Sequence, residues 1–130
     1  MIENYKEAFE KTRLAGSIAA KALDEVSKIV KPGISTDQID KVCYDFINDH
    51  GAYSAPLFYR GFPKSCCTSA NHVVCHGIPS DKILKEGDIV NVDVTAYKNG
   101  WHGDTSRMFE IGKTSIKAKK LIKATHESMM

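Results

Sequence analysis

The sequence lacks a long hydrophobic run, a low-complexity tract, an internal repeat and a large net charge. No transmembrane segment is present among its 130 residues, which predicts no membrane partner. The N-terminus MIENYKEAFEKTRLAG has acidic residues from its start and no apolar core before a small-residue cleavage site, so we predict no secretory signal and a cytoplasmic protein. The formal charge of +2 is too small to indicate nucleic-acid binding, and 42% hydrophobic content fits one modest domain.

Cysteine pairs with metal-binding or redox spacing are also missing. The four cysteines show no CxxC pair, and vicinal Cys66 and Cys67 are poorly placed for an ordinary disulfide, so we predict reduced thiols. The spacings match no zinc finger, ribbon or knuckle, which argues against a zinc site built from Cys66, Cys67, Cys75, His72 and His76.

The apolar pattern predicts an α+β fold. Apolar residues from Tyr5 to Val30 follow the helical period as one stripe, and the helix should stop at Lys31-Pro32-Gly33. Ser35 with Gln38 forms a possible capping box for a second helix that ends at Gly51. Short strands are predicted near 65 to 69 and 72 to 76, hairpin strands at 88 to 97 and 101 to 111, and a third helix from Ser115. The helices should lie on one face of an antiparallel sheet.

Two aspartates, Asp93 and Asp104, flank an Asn99-Gly100 hairpin signal. A two-residue loop would pair Asp93 with Ser106 and Thr95 with Asp104, so that both aspartates share a face, with Cβ atoms somewhat under ~7–8 Å apart. Two metal ions ~3.5–4 Å apart would fit between such carboxylates. A plain three-residue loop would shift the register by one residue and send one aspartate to the other face. Solvated charges near a turn are the simpler interpretation of the pair.

Several other side chains are candidates for a pocket. His76 precedes a glycine turn, from which an imidazole can project into a cleft or bind a backbone carbonyl. His102 has the parity of Asp104, which places it at the rim of the aspartate face. Tyr59, Phe62 and Cys67 offer a soft apolar surface suited to a thioether or alkyl side chain, with core packing as the alternative.

Lysines crowd the segment GKTSIKAKKLIKA. A solvated helix face accounts for them, and a transient ribosome contact is the alternative, without sequence-specific recognition of nucleic acid.

Two stretches, YRGFPKSCCTSANHVVCHGIPSD and LKEGDIVNVDVTAYKNGWHGDTSRMFEIG, closely resemble the bacterial type I methionine aminopeptidases, which have the pita-bread fold. The resemblance covers nearly the whole chain, including KTRLAGSIAAKAL and KPGIST. It implies removal of the initiator methionine from new proteins with a small second residue, through a hydroxide held between two divalent ions. Oxygen and imidazole ligands suit Mn, Fe, Co or Zn, and the complete enzyme is expected to be a monomer.

The resemblance also implies roles for individual residues. Asp93 would bind mainly one metal and Asp104 would bridge both, with Thr95 and His102 beside them. His76 would contact the substrate near the scissile bond. Pocket positions around the methionine side chain are matched by Tyr59, Phe62 and Cys67, although Phe62 replaces a common tyrosine and Arg60 stands where some relatives have histidine. Asn71 and Val73 fall where relatives offer backbone carbonyls to a monovalent cation.

The resemblance is to the N-terminal half of a longer catalytic domain, here residues 1–130. The remaining family ligands, a histidine and two glutamates, belong to the second half, and His126 and Glu127 come too early to replace them. We therefore expect the 130-residue chain to be inactive alone. A non-catalytic pita-bread binding or scaffold module is the alternative, and association of two half-length chains is a third possibility.

Overall fold

A computed structural model describes residues 5–130 of the chain. It contains three α-helices, a four-stranded antiparallel sheet and one 3-10 turn. This α+β composition agrees with the sequence prediction. In chain order the elements are α1 (Tyr5–Ile29), α2 (Thr36–Asp49), β1 (Tyr53–Ser54), the 3-10 turn (Tyr59–Gly61), β2 (Cys67–Ala70), β3 (Ile89–Lys98), β4 (Trp101–Glu110) and α3 (Ile116–Met129).

Helix α1 supplies the larger part of the helical side of the core. It ends directly before the Lys31-Pro32-Gly33 break, as predicted. The predicted apolar stripe is too long at its start, because Tyr5 and Phe9 are 82% and 65% exposed and the buried face begins only at Ala15. The buried residues of this helix are Ala15, Ile18, Ala19, Ala22, Leu23 and Val26.

Helix α2 begins with the predicted capping box. The Ser35 hydroxyl accepts a hydrogen bond from the Gln38 backbone N–H at 3.2 Å, and the Gln38 side-chain oxygen accepts from the Ser35 N–H at 2.9 Å. Both contacts satisfy amide groups that a helix start otherwise leaves unpaired. The capped helix directs Ile39, Cys43 and Ile47 into the core.

Strand β3 organises the sheet. It pairs along its whole length with β4, and its other edge pairs with β1 and β2, all antiparallel. Its residues alternate between two environments, because successive side chains of a strand point to opposite faces. Val90, Val92, Val94 and Ala96 are fully buried against α1 and α2, which lie on one face as predicted. The polar residues of β3 are left on the opposite face.

The predicted strand at 72 to 76 is wrong. This segment is a loop in which Val74 is 92% exposed, and its neighbours Asn71 and His76 both have a φ of +55°. A left-handed residue breaks the extended path of a strand, so two valines are not sufficient to form one here. The other short strand is found at Cys67–Ala70 rather than 65 to 69, and β1 is an additional strand of two residues.

Helix α3 contributes no buried side chain to the core formed by residues 5–130. The helix begins next to Ser115, as predicted, and the Ser115 hydroxyl caps its start by accepting from the Ala118 N–H at 3.1 Å. Its apolar side remains open, with Leu121 61% and Met129 74% exposed. Two of its lysines form ion pairs with glutamates, namely Lys119–Glu110 at 4.0 Å and Lys123–Glu127 at 3.5 Å. Within the described part of the chain, no helix has both the length and the apolar character needed to cross a membrane.

Candidate metal and substrate site

The β3–β4 hairpin places the two aspartates on one face. Asn99 and Gly100 have φ angles of +52° and +87°, as a two-residue type I′ turn requires. Lys98 pairs with Trp101, Asp93 with Ser106 and Thr95 with Asp104. The predicted register is therefore confirmed, and the three-residue loop is excluded.

The two carboxylates are close enough to affect each other. Burial of Asp93 raises the pKa of its carboxyl, the negative charge of Asp104 raises it further, and nearby His76 opposes the rise. Asp104 is more exposed and accepts a hydrogen bond from the Thr95 hydroxyl at 2.8 Å. A partly buried pair of like charges is an environment that a cation would stabilise, so the pair fits a divalent metal site.

The pair by itself is not a complete metal centre. Across residues 5–130, no group of three or more His, Cys, Asp and Glu side chains is arranged to hold a metal ion. Structural and catalytic metal sites generally use three or more protein ligands. Asp93 and Asp104 thus provide one side of a site.

Cys67 lies directly beside Asp93, because β2 pairs with β3 at these two residues. The start of β2 is held by Asp40 on α2, whose carboxylate accepts from the backbone N–H groups of Ser65 and Cys66 at 2.8 and 3.0 Å. Burial, reinforced by the charge of Asp93, raises the pKa of the Cys67 thiol to about 11. Cys67 is therefore an uncharged, soft side chain at neutral pH, as an apolar pocket requires.

All four cysteines are free thiols. Cys75 and Cys67 should nevertheless differ sharply in their rates of alkylation. Cys75 is exposed, whereas Cys67 is 8% exposed and has a pKa near 11. Because the thiolate is the nucleophile, iodoacetamide at pH 8 should alkylate Cys75 and leave Cys67 unmodified in the folded chain. Peptide mass spectrometry measures both, and alkylation in denaturant serves as the control. Equal labelling of the two in the folded chain would contradict the burial of Cys67.

The loop that carries His76 is held against β2 by Gly77. The Gly77 carbonyl accepts from the Thr68 N–H at 2.8 Å, and the Gly77 N–H donates to the Ser69 hydroxyl at 3.1 Å. A Cβ on Gly77 would collide with the Thr68 backbone, so only glycine allows this approach. His76 therefore lies on a loop, and not at the end of a strand as the sequence predicted.

A cleft of about 680 Å³ brings the predicted site residues together. Clefts of this size that combine apolar walls with a few convergent polar groups are typical of ligand sites. All eight side chains singled out from the sequence line it: Tyr59, Phe62, Cys67, His76, Asp93, Thr95, His102 and Asp104. The remaining lining residues, which the sequence had not singled out as candidate site residues, are Ala55, Pro56, Arg60, Gly61, Pro63 and Ile78.

The apolar wall comes from the 3-10 turn and its neighbours. Phe58 and Arg60, on either side of Tyr59, have left-handed backbone conformations with φ of +66° and +48°. The tight turn that they form is closed by a hydrogen bond of 2.8 Å, which the Phe58 N–H donates to the Phe62 carbonyl. Tyr59 is 63% exposed, which excludes core packing as its role. His102 also lines the cleft, and its ring lies 4.8 Å from that of Tyr97.

The two predicted cation-binding carbonyl positions lie outside this cleft lining. Asn71 uses its side chain to connect β2 with the start of β3, donating to Asp88 at 3.1 Å and accepting from the Ile89 N–H at 3.1 Å. The Val73 N–H donates to the Ala70 carbonyl at 3.1 Å. A monovalent cation at Asn71 and Val73 stays a prediction.

Comparison with known proteins identifies a family for this arrangement. The model of metallopeptidase family M24 matches residues 10–130. The methionine aminopeptidase of Rickettsia prowazekii (strain Madrid E) is 56% identical over 122 residues, which cover 94% of this chain and 47% of that protein. The methionine aminopeptidase of Escherichia coli (strain K12) is 54% identical over 125 residues, which cover 95% and 47%. The chain thus spans about half the length of the curated relatives it matches.

The fold agrees with the sequence comparison. The crystal structure of methionine aminopeptidase from Rickettsia prowazekii superposes with a TM-score of 0.96 at 54% sequence identity, covering 98% of this chain and 51% of that one. The α+β arrangement is accordingly the pita-bread fold that the resemblance implied, and divalent metal use is a property of the matched family. The chain belongs to metallopeptidase family M24.

Proposed function

We propose that this chain forms the methionine-binding side, and half of the metal-binding side, of a methionine aminopeptidase site. One observation carries the proposal: a single cleft contains the carboxylate pair, His76 and a soft apolar wall. The relatives that are named methionine aminopeptidases, at 56% and 54% identity, support the choice of activity. On this proposal residues 1–130 are the N-terminal half of one catalytic domain.

Each group in the cleft then has a task that suits its chemistry. Tyr59, Phe62 and uncharged Cys67 would surround the thioether side chain of the substrate and exclude water from it. His76, which lies near Asp93, would hydrogen-bond the peptide beside the scissile bond. These contacts would fix the terminal residue and expose its peptide bond to the acidic end of the cleft.

Asp93 and Asp104 would hold the metal, with the Thr95 hydroxyl orienting Asp104. The chemistry supplied by bound divalent cations is activation of water and polarisation of the scissile carbonyl. We propose two ions per complete site, drawn from Mn, Fe, Co or Zn, because carboxylate oxygens and imidazole suit these metals. The substrates would be nascent proteins with a small second residue. We accordingly propose that the activity is cytoplasmic and that the protein makes a transient contact with the ribosome.

A chimera tests the function directly. In it, this chain replaces the 122 matched residues of the Rickettsia prowazekii relative, so that the second half of that protein completes the site. With added Mn or Co, the chimera should release methionine from a Met-Ala-Ser peptide, whereas the 130-residue chain alone should release none, because residues 5–130 bring no group of three or more metal ligands together. Amino-acid analysis of the free methionine is the measurement.

Two results would contradict parts of this proposal. Turnover by the pure 130-residue chain would show that the two carboxylates suffice. A chimera that folds and binds Mn without releasing methionine would favour the non-catalytic binding module. The presence of both carboxylates and His76 in the cleft argues against that module, because pita-bread modules that have lost catalysis usually lose the metal carboxylates.

A further inference from the structure

Arg60 is the one permanently cationic side chain among the described residues that line the cleft. The other charges there belong to Asp93 and Asp104, which lie at the acidic end, and the walls are mostly apolar. Arg60 is exposed, whereas Cys67, which also lines the cleft, is buried beside Asp93. A peptide whose first residue lay against Cys67 would pass the exposed lining residues, Arg60 among them, on its way to solvent.

The backbone and a ring contact hold Arg60 in place. Its φ of +48° is a left-handed conformation that side chains other than Gly, Asn and Asp adopt infrequently. The Tyr59 N–H donates to the Pro56 carbonyl at 3.0 Å, and the Phe62 N–H donates to the Tyr59 carbonyl at 2.9 Å, which fixes the turn on both sides of Arg60. The guanidinium carbon lies 5.4 Å from the centre of the Tyr59 ring, within the range of a cation–π contact.

The guanidinium has no anionic partner within residues 5–130. The arginine that does have one, Arg107, donates two hydrogen bonds to Asp24 at 3.0 Å on the helix side of the sheet. A guanidinium carries five N–H donors in a planar fork that matches a carboxylate. Arg60 therefore presents an unused carboxylate-binding group in the lining of the cleft.

We propose that Arg60 is a specificity-determining residue that binds a substrate carboxylate beyond the second residue and so favours peptides with an acidic third residue. The proposal rests on the proposed function, because it assumes that the first residue lies against Cys67. The same chemistry would recognise the free C-terminal carboxylate of a short peptide. The experiment therefore separates the two sources.

The test measures binding to the 130-residue chain itself by two-dimensional NMR titration. The probes are Met-Ala-Glu-Ser-amide, Met-Ala-Lys-Ser-amide and Met-Ala-Gln-Ser with an amidated or a free C-terminus. The measured quantity is the affinity for the Glu peptide divided by the affinity for the Lys peptide. A change in the folded fraction of a variant alters both affinities equally and leaves this ratio unchanged. Arg60→Gln should shift this ratio about fivefold toward the Lys peptide, as loss of a solvent-exposed ion pair predicts. Arg60→Lys should retain part of the preference.

Arg13→Gln is the matched control, because Arg13 is an exposed arginine on α1 outside the cleft lining. It should leave the ratio unchanged. An Arg60→Gln ratio equal to that of the unsubstituted chain, a shift of the same size in Arg13→Gln, or binding of neither peptide would each overturn the proposal. A difference only between the free and amidated Gln peptides would overturn the side-chain preference. Failure of the chimera to release methionine is a separate result, which concerns the proposed function alone.

Discussion

Replacing Asp93 by asparagine should lower the kcat/KM of the chimera for Met-Ala-Ser by at least about a hundredfold, because loss of even an outer partner of a metal ligand typically costs 10- to 100-fold. Asparagine preserves the shape of the side chain and removes the charge on which cation binding depends. Steady-state kinetics and calorimetric titration with Mn measure the two consequences. Asp24→Asn is the matched control: Asp24 is an exposed carboxylate bonded to Arg107, outside the cleft, and its loss should leave turnover nearly unchanged.

The same substitution should raise the melting temperature of the metal-free 130-residue chain. Burial and Asp104 hold the pKa of Asp93 above its ordinary value, so the folded state binds this proton more tightly than the unfolded state does. The penalty of the ionised carboxyl is fully present above the raised pKa and disappears as pH falls through it. The stabilisation by Asp93→Asn should therefore be largest at neutral pH and shrink on acidification. If Asp93→Asn made this chain less stable and left the turnover of the chimera unchanged, Asp93 would have a structural role.

Gly103→Ala should strongly destabilise the chain. Gly103 on β4 lies against the backbone of α1, and a Cβ there would fall within 3.0 Å of atoms of Ala15 and Gly16, which real Cβ atoms essentially never do. Overpacking commonly costs about 1–3 kcal/mol, and more where backbone must move. We expect a loss of at least about 3 kcal/mol from a domain whose total is on the order of 5–15 kcal/mol. Circular dichroism and urea denaturation measure the loss.

Gly16→Ala is the control on the other side of the same contact. A Cβ on Gly16 meets nothing within 4 Å, and the residue lies inside α1. Alanine should therefore stabilise the chain by about 0.5–1 kcal/mol through helix propensity. If both alanine variants proved equally stable, the close approach of α1 to β4 would be wrong.

Local chemistry explains why much of the fold was predictable. The capping box at Ser35 and the Asn99-Gly100 turn each act within four residues, and both were found as predicted. The turn also determined the register, and hence the face that Asp93 and Asp104 share. The failures were at elements that depend on distant partners. The two residues of β1 form a strand only because they pair with β3. The conformation of the loop around Val74 depends on the close approach of Gly77 to β2.

The candidate site also has one part that local sequence predicts and another part that it does not. Alternation along β3 and the hairpin register placed the carboxylates together from sequence alone. No periodicity could bring Tyr59, Cys67 and His76 to one cleft, because they come from a turn, a strand and a loop that meet only in the folded chain. Their chemistry marked them as pocket candidates, and the family resemblance assigned them to one site. The residues around Pro56 and Pro63 were visible as a segment rich in proline and glycine, which indicates irregular backbone without saying which cavity it lines.

The two-residue turn between β3 and β4 also has a kinetic consequence. Closing so short a loop costs little chain entropy, and hairpins form in about 1–10 μs, whereas β2 reaches β3 only across the segment 71–88. We therefore expect the acidic pair to form early in folding and the apolar wall to dock onto it later. Pulse-labelling hydrogen exchange should detect protection of β4 amides before those of β2, and the reverse order would refute it. If folding follows this order, an intermediate carries an open acidic hairpin that can meet a cation before the apolar wall of the cleft is in place.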